Sequence, residues 1–338
     1  MNRRLPVYMM LDCSESMAGA AIDTVNTAIQ AMIQDLRKNP HALETVSLSV
    51  ITFSRTAQQI VPLTELERFQ IPELPIHPGT SLGAALNLLI QCIDREVVKT
   101  TPEKKGDWRP LVFLFTDGQP TDDWQKASEK LRAMKSPKIA NIYAIGCGDD
   151  VDYAVLHSIT DIVFKTTDMN AATIQKAFIW ITASVRSASL GADGGVEALP
   201  DLDSELRGAL EKVPPGTCQH DPVPLQVFIH ACCQQTKKHY LMRYSRLSGD
   251  TLYSAKEGHP LKTFEVEEAG DLPPINSSKL IGVPPCPYCG NEAAAVCGCG
   301  GILCLNPQKK DDTACPHCGV LLQGAVAGGS FDVVRTAG

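Results

Sequence analysis

The sequence predicts an α/β protein with a doubly wound, mostly parallel sheet, followed by a small β unit and a zinc-ribbon-like C-terminal module. Strand-like and helix-like segments alternate over residues 1–190, and the middle strands are apolar throughout. Continuous apolar strands are typical of a parallel sheet that helices cover on both faces. Seven cysteines lie between Cys286 and Cys318, several in CxxC-like spacings, and this density favours bound metal.

The segments of the first domain follow from hydrophobic period and turn residues. Alternating or continuous apolar runs predict strands, and apolar residues three and four apart predict helices. The predicted strands are 5–11, 46–54, 57–63, 109–118, 139–150 and 162–167. The predicted helices are 18–39 with a stop at Pro40, 80–98, 121–135 with Thr121 as its cap, 151–159 and 171–189. The second and third strands are expected to form a hairpin.

The composition changes near residue 191 and indicates the domain organisation. We predict a first domain at 1–190, a linker at 191–222, a small β unit at 223–270 and a cysteine-rich zinc-binding module at 280–324. The linker is rich in Gly, Pro and acidic residues around one short helical piece. The β unit contains four strand-like runs joined by turn-like segments, at 225–233, 237–247, 251–258 and 261–268.

Charge and hydropathy exclude two classes of partner. The 338-residue chain carries a formal net charge of −7, so its field repels phosphate backbones and argues against nucleic-acid binding. No apolar stretch approaches the roughly 20 residues of a membrane span, and 5–11 is interpreted as a strand rather than a secretory signal. We therefore expect a soluble, cytoplasmic protein whose reduced cysteines are available to metal.

Small oxygen-bearing residues follow the predicted strands of the first domain. The segment "DCSES" places Asp12, Ser14 and Ser16 directly after the first strand. Thr80 opens a predicted helix and is expected at a neighbouring strand end, and Asp117 lies at the end of the predicted strand 109–118. Ligands of doubly wound sheets bind at the carboxyl ends of the strands, and Mg²⁺ prefers oxygen ligands. Each residue alone also suits a helix cap or a turn. Together they predict a Mg²⁺ site at one edge of the sheet.

These segments resemble the metal-ion-dependent adhesion site of von Willebrand factor A domains, which have a Rossmann-like fold. The motifs "DCSES", "GTSLGAAL" and "FTDGQPTDDW" occur in the order of that family, over about residues 5–189. The resemblance implies that Asp12, Ser14, Ser16, Thr80 and Asp117 hold Mg²⁺, or Mn²⁺ or Ca²⁺. It also implies that an acidic residue of a partner protein completes the coordination. The nearby acids are interpreted either as tuning the site or as helix caps: Asp122, Asp123, Asp149 and Asp150.

Catalysis is not expected, and we predict no catalytic residue and no enzyme. Phosphotransferases of the haloacid-dehalogenase type need an acid two residues after the strand-end aspartate, but here Ser14 occupies that position. A serine hydroxyl cannot act as a carboxylic general acid near neutral pH. The sequence also has no GxxxxGK[ST] phosphate loop and no GxSxG nucleophile elbow.

The cysteine cluster contains two CPxCG turns, which point pairs of thiolates at a metal ion. We predict that Cys286, Cys289, Cys315 and Cys318 bind one Zn²⁺ in a tetrahedral site. Three further cysteines would supply most of a second Zn²⁺ site that is short by one ligand: Cys297, Cys299 and Cys304. The spacing does not choose among three candidates for that ligand: His317, Cys218 and His220. A single-zinc ribbon with three spectator thiols is the alternative.

Four further cysteines are interpreted as packed thiols, namely Cys13, Cys92, Cys232 and Cys233. For Cys13, which lies within the DCSES segment, a redox-sensitive thiol is the alternative. The whole arrangement is similar to TerY-type proteins of bacterial tellurium-resistance systems. That resemblance implies a cytoplasmic adaptor in a tellurite or stress-resistance complex with a protein kinase and a protein phosphatase. An adaptor subunit of an AAA-type ATPase, such as a metal chelatase, is the alternative within the same class of domain.

Overall fold

A computed structural model of the chain describes most of its residues. The described residues are 3–77, 79–134, 139–148, 151–166, 168, 170–190, 208–216, 220–261, 273–306, 313–322 and 330–335. The chain divides into two compact units, Met1–Pro222 and Val223–Gly338, and each is described by itself. None of the helices in these described ranges combines the length and the hydropathy that crossing a bilayer requires.

The first unit contains one sheet and helices on both of its faces. Its strands are β1 (Leu5–Asp12), β2 (Val46–Phe53), β3 (Ala57–Glu65), β4 (Leu111–Thr116), β5 (Asn141–Cys147), β6 (Val163–Thr166) and β7 (Leu210–Val213). Its helices are α1 (Ala20–Arg37), α2 (Pro40–Thr45), α3 (Leu82–Glu96), α4 (Trp124–Ala133), α5 (Tyr153–Ile159) and α6 (Ala171–Leu190). A 3-10 turn at Glu15–Met17 follows β1.

The strand order is β3-β2-β1-β4-β5-β6-β7, with parallel pairing from β2 to β6 and antiparallel strands at both edges.

Successive side chains of β1 point to opposite faces and therefore enter two cores. Met9 and Leu11 pack in the core that contains α1 and α6, whereas Tyr8 and Met10 pack in the core that contains α3, α4 and α5. The predicted doubly wound sheet is thus confirmed, and the β2–β3 hairpin forms as expected.

Helix α1 ends at Arg37, before Pro40 as predicted. Pro40 also starts the short helix α2, which was not predicted, because a proline without an N–H is favoured at the first helical position. Two other local predictions in this unit were wrong. Thr121 does not cap α4, whose N-cap position is Asp123. Part of the predicted linker belongs to the sheet, since Leu210–Val213 is extended and pairs with β6 instead of being helical. This pairing provides hydrogen-bond partners for backbone N–H and C=O groups at the edge of β6, which would otherwise be exposed.

The second unit is built on a separate sheet. Its strands are β8 (Gln226–Cys232), β9 (His239–Arg246), β10 (Tyr253–Pro260), β11 (Ile275–Asn276), β12 (Leu280–Ile281), β13 (Ala293–Val296), β14 (Ile302–Leu305), β15 (Thr313–Ala314), β16 (Leu321–Leu322) and β17 (Asp332–Val333). The main sheet has the order β12-β10-β9-β8-β14-β13, and β8, β9 and β10 are antiparallel as predicted. Most of the fourth predicted run, at 262–268, lies outside the described residues.

The predicted boundary between a β unit and a cysteine module is not a boundary in the structure. Strand β14, from the cysteine-rich segment, pairs with β8 from the β unit, with Leu303 opposite Cys232. One core joins the two parts, because Val227, Tyr240 and Met242 pack together with Cys286 and Cys304. Because this core takes residues from both parts, they belong to one compact unit.

Candidate metal sites

Three chain segments bring oxygen-bearing side chains together at one edge of the first sheet. Asp12 ends β1 and Asp117 follows β4, and these strands are parallel neighbours at the point where the strand order reverses. We expected Thr80 to follow a strand end as well, and this was wrong. Because β3 runs antiparallel, the chain that follows it must return to the carboxyl edge, where Thr80 precedes α3.

Four of the five predicted ligand residues are connected by short hydrogen bonds. The N–H of Ser14 donates to Asp12 Oδ1 over 2.9 Å, and the hydroxyls of Ser14 and Ser16 lie 2.8 Å apart. Ser16 Oγ donates to Asp117 Oδ1 over 2.5 Å. Each of these residues and Thr80 is at most 1% exposed. The carboxylates and hydroxyls therefore form one buried, preorganised group.

Gly118 marks the space that this group surrounds. A Cβ atom added to Gly118 would lie 3.4 Å from Thr80 Oγ1, 3.6 Å from Ser16 Oγ and 3.9 Å from Asp12 Oδ2. Three donors from two chain segments therefore face the same small volume beside Gly118, which is open because residue 118 has no side chain. Two carboxylates and three hydroxyls are hard oxygen donors, and this donor set fits Mg²⁺ or a similar divalent cation.

The electrostatics of the site also favour a cation. Burial, together with the nearby charge of Asp117, raises the pKa of Asp12 to about 7, although hydrogen bonds from Ser14 and Thr116 oppose the shift. Burial raises the pKa of the Cys147 thiol in the same region, and the Asp117 and Asp12 charges add to that shift. A bound divalent cation would offset the repulsion between the two buried carboxylates.

The alternative that these serines are helix caps does not fit the geometry. Ser14 stands at the N-cap of the Glu15–Met17 turn, but its side chain makes no capping hydrogen bond. Ser81 is the N-cap residue of α3, and its hydroxyl donates to the carbonyl oxygen of Arg55 over 2.6 Å instead. The Ser14 hydroxyl instead lies against Ser16, within the buried group.

The segment after Asp117 holds the Thr80 segment in place. Thr121 Oγ1 accepts from the N–H of Thr80, and the N–H of Thr121 donates to the Thr80 carbonyl, both over 3.0 Å. Asp122 accepts from the N–H groups of Gly83 and Ala84 over 2.9 and 2.8 Å, so it caps α3. These contacts favour the cap interpretation for Asp122.

The other nearby acids are less closely involved. Asp123 pairs with Lys126 at 2.6 Å on an exposed surface. Asp149 and Asp150 lie outside the described residues.

The thiols of the second unit form two groups of four, and the grouping predicted from the sequence was wrong. The first cluster consists of Cys233, Cys286, Cys289 and Cys304, and the second cluster of Cys297, Cys299, Cys315 and Cys318. In each cluster the sulfur atoms lie within 4.8 Å of one another. The two CPxCG turns therefore belong to different clusters, because the β13–β14 hairpin separates them.

Cys233, expected to be a packed thiol, completes the first cluster through a turn that imitates a CPxCG turn. In both CPxCG turns, the N–H of the first cysteine donates to the carbonyl five residues on, and the glycine N–H donates back to that cysteine. Cys233 makes the same two contacts, with Lys238 at 2.8 Å and Lys237 at 2.9 Å. Thr236 takes the place of the second cysteine.

Neither of the two described candidates for the last ligand, His317 and His220, joins a cluster. The His317 ring contacts the Ile302 carbonyl at 3.3 Å and packs edge-on against His239. His220 belongs to the first unit, where its Nδ1 lies 2.6 Å from Asp152. Cys218 lies outside the described residues.

Backbone N–H groups donate to the sulfur atoms of both clusters. Gln234 N lies 3.3 Å from Cys304 Sγ, and His317 N lies 3.4 Å from Cys315 Sγ. Although burial opposes it, hydrogen bonds from residues such as Thr236 lower the pKa of Cys233 to about 7. Four thiolates with N–H donors form a tetrahedral donor set that fits Zn²⁺, and both clusters satisfy this requirement.

Lys237 gives a direct test of the imitated turn. It is the single non-glycine residue in the described ranges with a left-handed backbone, at φ +59°. Replacement by glycine relieves this strain, so Lys237→Gly should raise the free energy of unfolding of the second unit by about 0.5–1 kcal/mol. The measurement is urea denaturation of the metal-loaded chain. Lys237→Ala is the matched control, because it removes the same side chain and keeps the strain; equal stabilities of the two variants would contradict the assignment.

Comparison with known proteins identifies the family. Residues 7–177, about half of the chain, match the family model of the von Willebrand factor type A domain. The chain therefore belongs to the von Willebrand factor type A domain family, whose members are generally interaction or adhesion modules. Residues 225–338 match the model of the TerY-C metal binding domain. Together the two matches are those of a TerY-type protein with a cysteine-rich C-terminal module, as the sequence predicted.

Individual relatives are distant. An uncharacterized protein, sll0103, of Synechocystis sp. is 28% identical over 165 residues, which cover 47% of this chain and 36% of that protein. The chain thus spans about a third of the length of that relative. The crystal structure of the ArnB paralog VWA2 from Sulfolobus acidocaldarius is 18% identical, with a TM-score of 0.40, over 52% of this chain and 45% of that one. A mussel byssus proximal thread matrix protein with a zinc-occupied MIDAS motif is 18% identical, with a TM-score of 0.37, over 55% and 46%.

Proposed function

We propose that this protein is a non-catalytic adaptor that binds an acidic residue of a partner protein through a Mg²⁺ adhesion site. The observation that supports the proposal is the buried group of oxygen donors around Gly118. Asp12, Ser14, Ser16, Thr80 and Asp117 would hold the cation, which supplies an electrophilic position for an anionic oxygen. Mn²⁺ and Ca²⁺ are the other hard cations that this donor set accepts.

The residues around the site determine what can reach it. The donor atoms are almost completely buried, whereas Gly118 is partly exposed. A partner must therefore insert a side chain past Gly118, and an aspartate or glutamate is long enough and carries the required charge. The Thr121 and Asp122 contacts keep Thr80 in register with Asp117, so that the donors are in place before the partner arrives.

Capture of a partner by the full chain tests this proposal. The chain should bind Mg²⁺ or Mn²⁺ in a calorimetric titration and should retain its partner from the native cell extract only when the cation is present. Asp12→Asn keeps the shape of the side chain and removes its charge, so it should lower cation affinity by about a hundredfold or more and abolish capture. Capture that survives EDTA or this substitution would refute the proposal.

Two further variants make the result specific. Asp123→Asn is the matched control, because it makes the same chemical change at an exposed aspartate that pairs only with Lys126 among the described residues. This variant should bind cation and partner as the unchanged chain does. Gly118→Val removes no ligand but fills the open space, and it should block capture while the fold is retained.

We further propose that the second unit binds two Zn²⁺ ions, one in each cysteine cluster. The two separate sets of four sulfurs, each within 4.8 Å of one another, support this stoichiometry over a single-zinc ribbon. All twelve described cysteines are free thiols, which is consistent with a cytoplasmic protein in a reducing compartment. Elemental analysis of the purified chain should find about two zinc ions per chain. One zinc ion or none would contradict the proposal.

The proposed setting is a tellurite or stress-resistance complex that contains a protein kinase and a protein phosphatase. The match to the TerY-C metal binding domain supports this setting. Mass spectrometry of proteins retained in Mg²⁺ and released by EDTA should identify a kinase or a phosphatase. A hexameric ATPase in place of a kinase or phosphatase would contradict the proposed setting. It would not contradict the proposed cation-dependent binding of a partner.

A further inference from the structure

The two cysteine clusters differ sharply in their exposure. In the first cluster, Cys286 is 2% exposed and Cys304 0%, and both belong to the core of the second unit. In the second cluster, Cys299 and Cys318 are exposed to solvent. The apolar residues packed around the second cluster are few, namely Leu303, Leu305 and Leu322. Small reactive molecules in water can therefore reach the second cluster far more easily than the first.

The second cluster also pairs each exposed sulfur with a buried one. Cys318 Sγ lies 3.6 Å from Cys297 Sγ, and Cys299 Sγ lies 3.8 Å from Cys315 Sγ. Cys297 and Cys315 are 4% and 2% exposed. Each pair joins the end of the β13–β14 hairpin to the second CPxCG turn. An exposed thiolate with a second thiolate at this distance is the arrangement of reversible redox cysteines.

We propose that the second cluster is a redox-modification site, at which a peroxide oxidises the thiolates to a disulfide and releases the bound metal, while the first cluster keeps its metal. This inference rests on the proposed occupation of both clusters by Zn²⁺. The exposed sulfurs of Cys299 and Cys318 are the points of attack, and Cys315 and Cys297 resolve the products. The first cluster offers no comparable access, because three of its four cysteines are buried.

The reaction balances with hydrogen peroxide as the named oxidant. A thiolate sulfur attacks one peroxide oxygen, the O–O bond breaks, and a sulfenic acid and water form after a proton is taken from solvent. The neighbouring thiolate then attacks the sulfenic sulfur, the S–S bond forms, and hydroxide leaves and takes a proton from solvent. Two thiolates lose two electrons, one peroxide is reduced to two waters, and two protons are consumed.

Loss of one pair of thiolates leaves two ligands, which do not hold Zn²⁺ in a closed tetrahedral site. A disulfide between Cys299 and Cys315, or between Cys297 and Cys318, connects the same two segments that the metal connects. The segments therefore stay close together, so reduction restores the thiolates in place. Cys304 lies on the same hairpin and remains in the first cluster, which keeps β14 paired with β8.

The test uses the full chain with both clusters loaded with zinc and with no added Mg²⁺. The zinc content is measured first. A content below about two ions per chain would overturn the two-zinc proposal, and the redox inference that rests on it would also be wrong. Hydrogen peroxide is then added, and zinc release is followed with a chromogenic chelator against a sample without peroxide. We expect one zinc ion to leave at least about tenfold faster than the other, because access limits the reaction. A thiol reductant with added Zn²⁺ should restore the original content.

Peptide mapping of the oxidised chain distinguishes the outcomes. Disulfides should form only among Cys297, Cys299, Cys315 and Cys318. The variant Cys232→Ser is the control, because Cys232 is a buried thiol next to Cys233 that belongs to neither cluster, and it should leave the release rate unchanged. Three outcomes would each overturn the inference. The two ions could leave at equal rates, or the oxidised cysteines could map to the first cluster. Zinc could also stay bound while free thiols in the same solution are oxidised.

Discussion

The variant Cys304→Ser should lose the cooperative structure of the second unit while the first unit stays folded. Cys304 is completely buried, belongs to the first cluster and lies on β14, which pairs with β8. Serine is a poor ligand for zinc and leaves a polar group in an apolar core. Structural zinc contributes about 10–16 kcal/mol of apparent binding energy in small zinc domains, which equals or exceeds the total stability of about 5–15 kcal/mol of an ordinary domain.

Hydrogen exchange with mass spectrometry measures this loss separately in each unit. In the variant, amides of β8 and β9 should exchange at the rate of an unfolded chain, and amides of β1 and β4 should remain protected. Cys232→Ser is the matched control, since it makes the same chemical change one position before Cys233 and removes no cluster ligand. The proposed role of the metal would be wrong if β8 and β9 stayed protected in Cys304→Ser, or if both substitutions had the same effect.

The first unit could be predicted from its sequence almost completely because its signals are local. Each buried strand is a continuous apolar run, and each helix has its own apolar period, so neighbouring residues carry the information. The exceptions are the helix α2 (Pro40–Thr45) and the strand β7 (Leu210–Val213), which are too short to show a period. The pairing of β7 with β6 is decided by the exposed edge of β6, which the sequence near residue 210 does not reveal.

The five oxygen-bearing residues proposed as cation ligands could be singled out from the sequence, and the structure brings them together, but the position of Thr80 was explained wrongly. The oxygen-bearing motifs could be read directly, whereas the path that carries Thr80 to the site depends on β3 being antiparallel. The roles of Thr121 and Asp122 were not predicted either, because their partners Thr80 and Gly83 lie about 40 residues away. A contact across that distance has no periodic signal in the sequence.

The composition of the two cysteine clusters could not be predicted from the sequence either, because it also depends on contacts between distant residues. Spacing pairs Cys286 with Cys289 and Cys315 with Cys318, but it does not say which pairs share an ion. That choice depends on the β13–β14 hairpin, which places Cys304 in one cluster and Cys297 and Cys299 in the other. Cys233 could have been suspected from the polar turn that follows a strand-end cysteine. Its Thr236 in place of a second cysteine concealed the resemblance to a CPxCG turn.

In the absence of a divalent cation at pH 8, Asp12→Asn should make the first unit more stable than the unchanged chain. Asp12 is 1% exposed and lies beside Asp117, and its pKa in the folded protein is about 7 against an ordinary value of 3.8. An acid whose pKa is raised by folding destabilises the folded state when it is ionised. Its unfavourable contribution grows as the pH rises from about 4 through 7, and it is fully present at pH 8.

Asparagine removes this charge and keeps the hydrogen bonds. Its side-chain oxygen can accept from the N–H of Ser14, and its NH₂ group can donate to Thr116 Oγ1. We expect a gain of a few kcal/mol in the cation-free protein, which corresponds to roughly 5–10 °C in the melting temperature of a domain of this size. The gain should shrink as the pH is lowered towards 4, because Asp12 in the unchanged chain then carries a proton.

Addition of Mg²⁺ should reverse the order of the two proteins. The cation binds the charged form of Asp12 and offsets its repulsion with Asp117, so the unchanged chain gains stability with Mg²⁺ concentration. Asp12→Asn, which has lost one of its two carboxylates, should gain little. Thermal unfolding of both proteins in EDTA and in Mg²⁺, at pH 6 and pH 8, gives the comparison. The prediction would be wrong if Asp12→Asn were less stable than the unchanged chain in EDTA at pH 8. That result would mean that the buried charge of Asp12 beside Asp117 does not destabilise the cation-free protein.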